Sequence, residues 1–279
     1  MRTILACVCL VVVIGGGSCN LEQKPGKFLE RGKALLEQRD YSRAILQFQN
    51  EVRLLPKGPE AYYQLGHAYL GLRDGRKAYA YFKKTLELNP AHVGAQLKLA
   101  EMLALSPDQT YRDEAIAHAK AVLQQAPEDP EALSTLALTD YKAGNQKAAE
   151  ERLAHILATA PQHIKSAIFL ASLKASHGDA QGAEEVLKSA ALNNPKSSVA
   201  AVALGRFYLR TKRPAEAEKQ FEHAVKTDPQ DLAALWDLAQ LQLLSRKNAA
   251  AEENIKRLST SNDKQYRPLP DRVFNILSV

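Results

Sequence analysis

The chain has 279 residues, 46% of them hydrophobic, with 37 Lys and Arg against 31 Asp and Glu. That is enough for one or two ordinary domains with a real core. The net charge of +6 is spread without any long Lys/Arg run, which describes a solvated basic surface rather than a nucleic-acid footprint. Ala and Leu dominate and aromatic residues make up only 6%, a composition that favours helices because Ala and Leu lose little on entering one.

The first twenty residues differ from the rest. Arg2 is the only charge before Glu22, and Thr3 to Ile14 form a 12-residue apolar run, followed by Gly15, Gly16, Gly17, Ser18 and Cys19. Twelve apolar residues are few for a bilayer span but suit the apolar core of a signal peptide. Small residues followed by Cys resemble the bacterial lipobox, whose Cys becomes the lipidated first residue of the mature chain. Gly17 and Ser18 fit that pattern, whereas Gly16 departs from it, since the family usually has Leu there. Asn20 stands where the inner-membrane retention signal usually has Asp. The resemblance therefore implies a signal peptide over residues 1–18, a lipid on Cys19, a linker over 19–24, and a location on the periplasmic face of the outer membrane or elsewhere in the periplasm. An uncleaved signal anchor is the alternative. Cys7 and Cys9 would leave with the signal, so the mature chain would have no disulfide and would be held by packing alone.

Beyond residue 24 the chain repeats itself. Gly32, Ala44, Phe48 and Pro56 recur 34 residues later as Gly66, Ala78, Phe82 and Pro90. The same period links Pro127, Pro161, Pro195 and Pro229, and also Ala149, Ala183, Ala217 and Ala251. Pro90 to Pro127 is 37 residues, so one unit carries a three-residue insertion, placed in Leu105 to Arg112. Within a unit, Leu65, Tyr69 and Leu72 recur at helical spacing, as do Ala78, Phe82 and Leu86, so each unit is two amphipathic helices. Asp74-Gly75, Gly144-Asn145 and Gly178-Asp179 mark the turns between them, and pairs such as Asn89-Pro90 stop the second helix.

This pattern resembles the tetratricopeptide repeat, with a large residue at position 4, Leu-Gly or Leu-Ala at 7 and 8, Tyr at 11, Ala at 20, Phe at 24 and Pro at 32. Tyr62, Leu65, Gly66, Tyr69, Ala78, Phe82 and Pro90 match it throughout, and Leu204, Gly205, Tyr208, Ala217, Phe221 and Pro229 match it again. Arg31, Asp140 and Lys174 depart from it, and so does Asp263, which replaces the last Pro. The resemblance implies an all-α fold, a right-handed superhelical solenoid of about seven units over residues 25–262. The units are 25–58, 59–92, 93–129, 130–163, 164–197, 198–231 and 232–262, each with a first helix A and a second helix B. One hairpin cannot bury its apolar face alone, and stacked neighbours can.

No catalytic constellation is legible: there is no Gly-rich phosphate loop, no His-Glu-x-x-His, and no two histidines within four residues of each other to hold a metal. No cofactor is expected. Glu150-Glu151, Glu184-Glu185 and Glu252-Glu253 lie near the starts of second helices and complement the helix dipole. Function is then expected on the concave surface, which in this family is lined by positions 2, 5, 9 and 12 of the A helices. The candidate partner groove comprises Lys33, Tyr63, His67, Tyr141, Arg206 and Trp236, with aliphatic neighbours such as Leu97, Ile168 and Leu209. Tyr and Trp are typical interface anchors, although each also packs well between helices. The family's clamp for acidic C-termini is not expected, because Tyr63, His67, Leu97 and Glu101 stand where its Lys and Asn would be.

The expectation is a non-catalytic protein-binding scaffold of the bacterial cell envelope that takes a peptide or helix in its groove. The chain is similar to envelope lipoproteins of exosortase and exopolysaccharide systems and to pilotin-like assembly factors for secretins; a docking subunit of an enzyme complex is the alternative. Residues 263–279 fall outside the repeat, and Val273, Phe274, Ile276 and Leu277 would give a short helix an apolar side. That tail is read as a cap on the last unit, a frayed end, or a partner-binding segment.

Overall fold

Two local devices recur among the described residues: a polar cap or Pro where most helices start, and a left-handed residue after the first helix of six of the seven hairpins, the third being the exception. The computed structural model describes residues 25–259, which form 14 helices and, among the described residues, no strand. They pair as α1 Lys27–Glu37 with α2 Tyr41–Leu54, α3 Pro59–Gly71 with α4 Gly75–Leu88, and α5 Val93–Ala104 with α6 Gln109–Leu123. Next come α7 Pro130–Lys142 with α8 Gln146–Thr159, and α9 Ile164–Ser176 with α10 Ala180–Asn193. The last pairs are α11 Ser198–Arg210 with α12 Pro214–Thr227, and α13 Leu232–Leu244 with α14 Asn248–Ser259. The hairpins fall into two compact units, one up to His92 and one from Val93.

Asp40, Asp74, Asp129, Asp179, Ser197 and Asp231 each accept a backbone N–H of the helix that follows, and Pro59, Pro130 and Pro214 open α3, α7 and α12. At the other end, position 15 takes a positive φ: Gly144 at 85° and Gly178 at 83°, but also Arg39 at 58°, Arg73 at 61°, Lys212 at 60° and Arg246 at 59°. The next N–H then reaches back five residues, as from Asp74 to the Tyr69 carbonyl at 2.9 Å, closing a Schellman turn. This corrects the reading of Asp74-Gly75. Gly75 is simply the first residue of α4, and the strained conformation sits on Arg73.

Inside a hairpin the contact is set by small residues. Ala44, Ala78, Ala115, Ala149, Ala183, Ala217 and Ala251 are all fully buried at position 20. Position 8 lies under the ring at position 24. A Cβ on Gly32, Gly66 or Gly205 would stand 2.3, 2.4 or 2.6 Å from a ring carbon of Phe48, Phe82 or Phe221. Where position 8 is Ala, as at Ala137, Ala171 and Ala239, the residue facing it is Leu153, Leu187 or Ile255. The three extra residues of the third hairpin enter between buried Ala100 and Ala115. There α6 begins six residues before its buried Ala instead of three, so the insertion is absorbed as about one additional helical turn.

Positions 11 and 23 face each other across the hairpin, and their chemistry changes from unit to unit. Tyr69 and Tyr81 stack with ring centroids 5.3 Å apart, Asp140 binds Arg152 at 3.0 Å, and the buried Asn254 donates to Gln242 at 3.0 Å. The departures from Tyr at Asp140 and Lys174 therefore have local reasons: Asp140 meets Arg152, and Lys174 reaches Asp179 at 2.9 Å. Successive hairpins are seated by position 28. Val52 packs with Leu65, Leu123 with Ala132 and Leu136, Leu157 with Leu170, and Val225 with Leu235. In the last described hairpin that position is Ser259, which is exposed.

Candidate binding surface

The A helices bring their outward positions together because neighbouring repeats stack in register. In the first unit Tyr63 and His67, one turn apart on α3, meet edge to face at 4.6 Å, over the Phe82 ring at 5.8 and 5.5 Å. His92 closes the group, 4.6 Å from Tyr63 and 3.5 Å from the Glu60 carboxylate. Burial, and then the Glu60 charge, push the Tyr63 hydroxyl above its ordinary value. Lys33 lies at the edge, 3.2 Å from Glu30 and 3.9 Å from Glu60. Tyr63 and His67 are thus half-buried members of an aromatic cluster, and Lys33 is a partnered rim charge.

In the second unit, Lys165 of α9 spans the A helices before it. Its Nζ lies 3.1 Å from Glu101 of α5 and 3.0 Å from Glu131 of α7. His163 stands 3.3 Å from Glu131 and, through Nδ1, accepts the Ser166 N–H that opens α9. His163 and Lys165 hold the Glu131 carboxyl down to about 2. Beyond this ladder Tyr141 is 37% exposed and meets Phe169 edge-on at 5.6 Å. The exposed Arg206 is aimed by Asp237, whose Oδ2 is 2.6 Å from Nε. Trp236 lies half-buried on Leu235 and Ala239.

The proposed groove residues therefore divide. Tyr141 and Arg206 are exposed and positioned by neighbours, whereas Tyr63, His67 and Trp236 contribute much of their area to packing. Sequence reasoning missed Lys165, Glu131, Phe169 and Asp237. For the first two a signal existed: Glu131 and Lys165 are opposite charges 34 residues apart, at the same position of successive units. Two of the glutamates read as dipole partners also do something else. Glu150 and Glu184 reach into the turn of the following hairpin, to His177 at 2.8 Å and Arg213 at 2.6 Å, and Glu218, which that reading did not include, does the same to Lys247 at 2.7 Å. Arg213, with Lys188 beside it, holds the Glu184 carboxyl down to about 2.

This surface is suited to holding a partner through apolar and ring contacts between fixed charges. Among the described residues no group of three His, Cys, Asp or Glu is placed to hold a metal ion, and no helix is long and apolar enough to cross a membrane. Cys19 and the 263–279 tail lie outside the described residues.

The family of the cytochrome c-type biogenesis protein H TPR domain matches residues 20–167, and tetratricopeptide repeat families match residues 174–231 and 213–259. No curated protein matches the chain. Among solved structures, the human IFIT1 dimer with m7Gppp-AAAA is similar over 86% of this chain, with a TM-score of 0.55 and 18% identity. The human IFIT1 dimer with PPP-AAAA gives 0.54 over the same share, again at 18% identity. The chain spans 60% and 61% of those two IFIT1 chains, and at this identity the likeness is one of fold. A thermophilic TPR protein of Thermus thermophilus is matched over its full length and 79% of this chain, at 23% identity and a TM-score of 0.45. Repeats of this kind are scaffolds for protein–protein interaction. With fourteen paired helices and family matches along both units, the chain belongs to the tetratricopeptide repeat family, its N-terminal half being a TPR domain of the cytochrome c-type biogenesis protein H family.

Proposed function

We propose that the chain is a non-catalytic assembly scaffold of the bacterial envelope, tethered through a lipid on Cys19, that holds a partner protein on its A-helix face. The observation that carries this reading is the exposed Tyr141 ring, edge-on to the half-buried Phe169, in the same unit as the Glu101–Lys165–Glu131 ladder and the Arg206–Asp237 pair. An apolar aromatic step between fixed charges is the make-up of an interface core with a polar rim. The apolar run before Cys19 supports the tether. Exopolysaccharide export and pilotin-like secretin assembly remain the envelope systems that the sequence likeness favours, with a docking role in an enzyme complex as the alternative.

The test is affinity capture from detergent-solubilised envelopes with the parent and a Tyr141→Ala/Arg206→Ala variant. The same proteins should be recovered by the parent and lost with the variant; equal recovery by both refutes the A-helix face as the site. Changing Cys19 to Ser should move the protein from the membrane pellet to the soluble periplasmic fraction, and unchanged pelleting would end the lipid-anchor reading.

A second reading rests on the family match over residues 20–167: the partner belongs to the machinery that makes c-type cytochromes. Deleting the gene should then abolish haem-stained c-type cytochromes, and normal haem staining would leave the first reading standing alone.

A further inference from the structure

The charge of the chain is not evenly shared. Residues 25–92 hold 12 Lys and Arg against 7 Asp and Glu, whereas residues 93–259 hold 20 against 21. Residues 25–92 therefore carry a net charge of +5, and residues 93–259 a net charge of −1.

That unit also ends on a basic helix face. In later hairpins, positions 3 and 7 of the A helix are buried small or apolar residues: Ala61 and Leu65, Ala132 and Leu136, Ala200 and Leu204. On α1 the same positions are Lys27 and Arg31, both exposed, and neither has an ion-pair partner among the described residues. One turn further Ala34 is exposed, where its counterpart Ala68 is fully buried. A polar replacement is what a first repeat needs so that nothing stacks on it. That need does not choose a sign, and acidic or uncharged residues would meet it equally well. The choice of two unpaired cations, on the unit that carries the positive excess, calls for a further reason.

We propose that the outer face of α1, centred on Lys27 and Arg31, docks on an anionic lipid surface. The proposal rests on the membrane tether of the functional reading. Lys27 follows Cys19 by eight residues, so an anchored Cys19 keeps α1 within roughly 28 Å of the bilayer, at about 3.5 Å per residue. At that range weak contacts with headgroup phosphates gain from high effective concentration.

The test uses the purified full chain and two sets of vesicles, pure phosphatidylcholine and phosphatidylcholine with a third phosphatidylglycerol. The ratio of the two binding constants isolates the electrostatic contribution, because the apolar N-terminal run and any acyl group act on both. At low salt the ratio should fall by about 30-fold in Lys27→Gln/Arg31→Gln, taking the usual gain of one cation near anionic lipid twice over. Circular dichroism should show unchanged helix content, since both side chains are exposed. A Lys196→Gln/Lys226→Gln control in the second unit should leave the ratio unchanged. A ratio near one in the parent overturns the proposal. So does an unchanged ratio in the α1 variant, an equal fall in the control, or equal retention of parent and α1 variant on phosphatidylglycerol vesicles with loss from an acidic protein surface only. Release of the Cys19→Ser protein is read separately, so failure of the lipid anchor and failure of the docking face give different results.

Discussion

Gly66→Ala tests how the hairpins close. The added Cβ would stand 2.4, 2.7 and 2.8 Å from three ring carbons of Phe82, all inside contact distance. The ring cannot step aside, because Phe82 is fully buried with Tyr63 and His67 packed on it at 5.8 and 5.5 Å. Overpacking of a tight core costs about 2–3 kcal/mol here, the upper part of its usual range. Ala regains about 1 kcal/mol over Gly in a helix interior. The net expectation is a loss of about 1–2 kcal/mol, against the stabilisation that helix propensity alone would give. Phe82→Leu alone should cost a similar amount by leaving a cavity. The double variant Gly66→Ala/Phe82→Leu should be more stable than the sum of the two changes by about 1–2 kcal/mol. Its pair would then match the Ala137–Leu153 and Ala171–Leu187 pairs that the chain already uses. Urea unfolding followed by circular dichroism, with the four proteins of the cycle side by side, measures this. Gly66→Ala as stable as the parent, or a strictly additive cycle, would refute the account of position 8.

Lys212→Gly should stabilise by about 1 kcal/mol, because a side chain at φ 60° is strained and Gly is not, while Gly178→Ala should lose about as much; thermal melts of both read this. Glu184→Gln should lower stability slightly at pH 7, since it removes a charge-assisted but solvent-screened pair with Arg213 at 2.6 Å. The Glu184 carboxyl is lowered from 4.5 to about 2 on folding, so its contribution is complete above 4.5 and lost as the pH falls towards 2. The parent and Glu184→Gln should therefore converge in stability over that window, and a gap that persists at pH 2 would contradict the pairing. Deleting residues 271–279 should lower the melting temperature if the tail caps the last hairpin; an unchanged melt rules the cap out.

The fold was legible because the repeat imposes one answer seven times. Gly66 and Phe82 carry the same message as Gly205 and Phe221, so a weak unit is read through its stronger neighbours. What was lost lay between repeats. Glu184 next to Glu185 looks like a dipole partner until Arg213 is seen 2.6 Å away across a hairpin boundary, 29 residues along the chain. Likewise Arg73 carries no glycine signature, since its left-handed turn is imposed by the helices on either side rather than by its own preference. The surface was legible only as a set of positions. Tyr63 and Tyr141 occupy the A helices alike, but one is packed over Phe82 and the other is exposed beside Phe169.

A chain made of near-copies faces the hazard that a helix finds the wrong copy. Every B helix is about the right length to close on any A helix, and where the residues at positions 8 and 24 match, as in the first two hairpins, a slip of 34 residues would keep most of the apolar pattern intact. The position 11 and 23 pairs remove that degeneracy. Tyr69 opposite Arg152 would lose its stack, Asp140 opposite Tyr81 would bury an unmatched carboxylate, and Gln242 opposite either would lose its amide partner. These three hairpins thus carry their own addresses. Chains in which all seven pairs were made alike should fold more slowly and exchange hairpins between molecules, although every native contact would look as good as before.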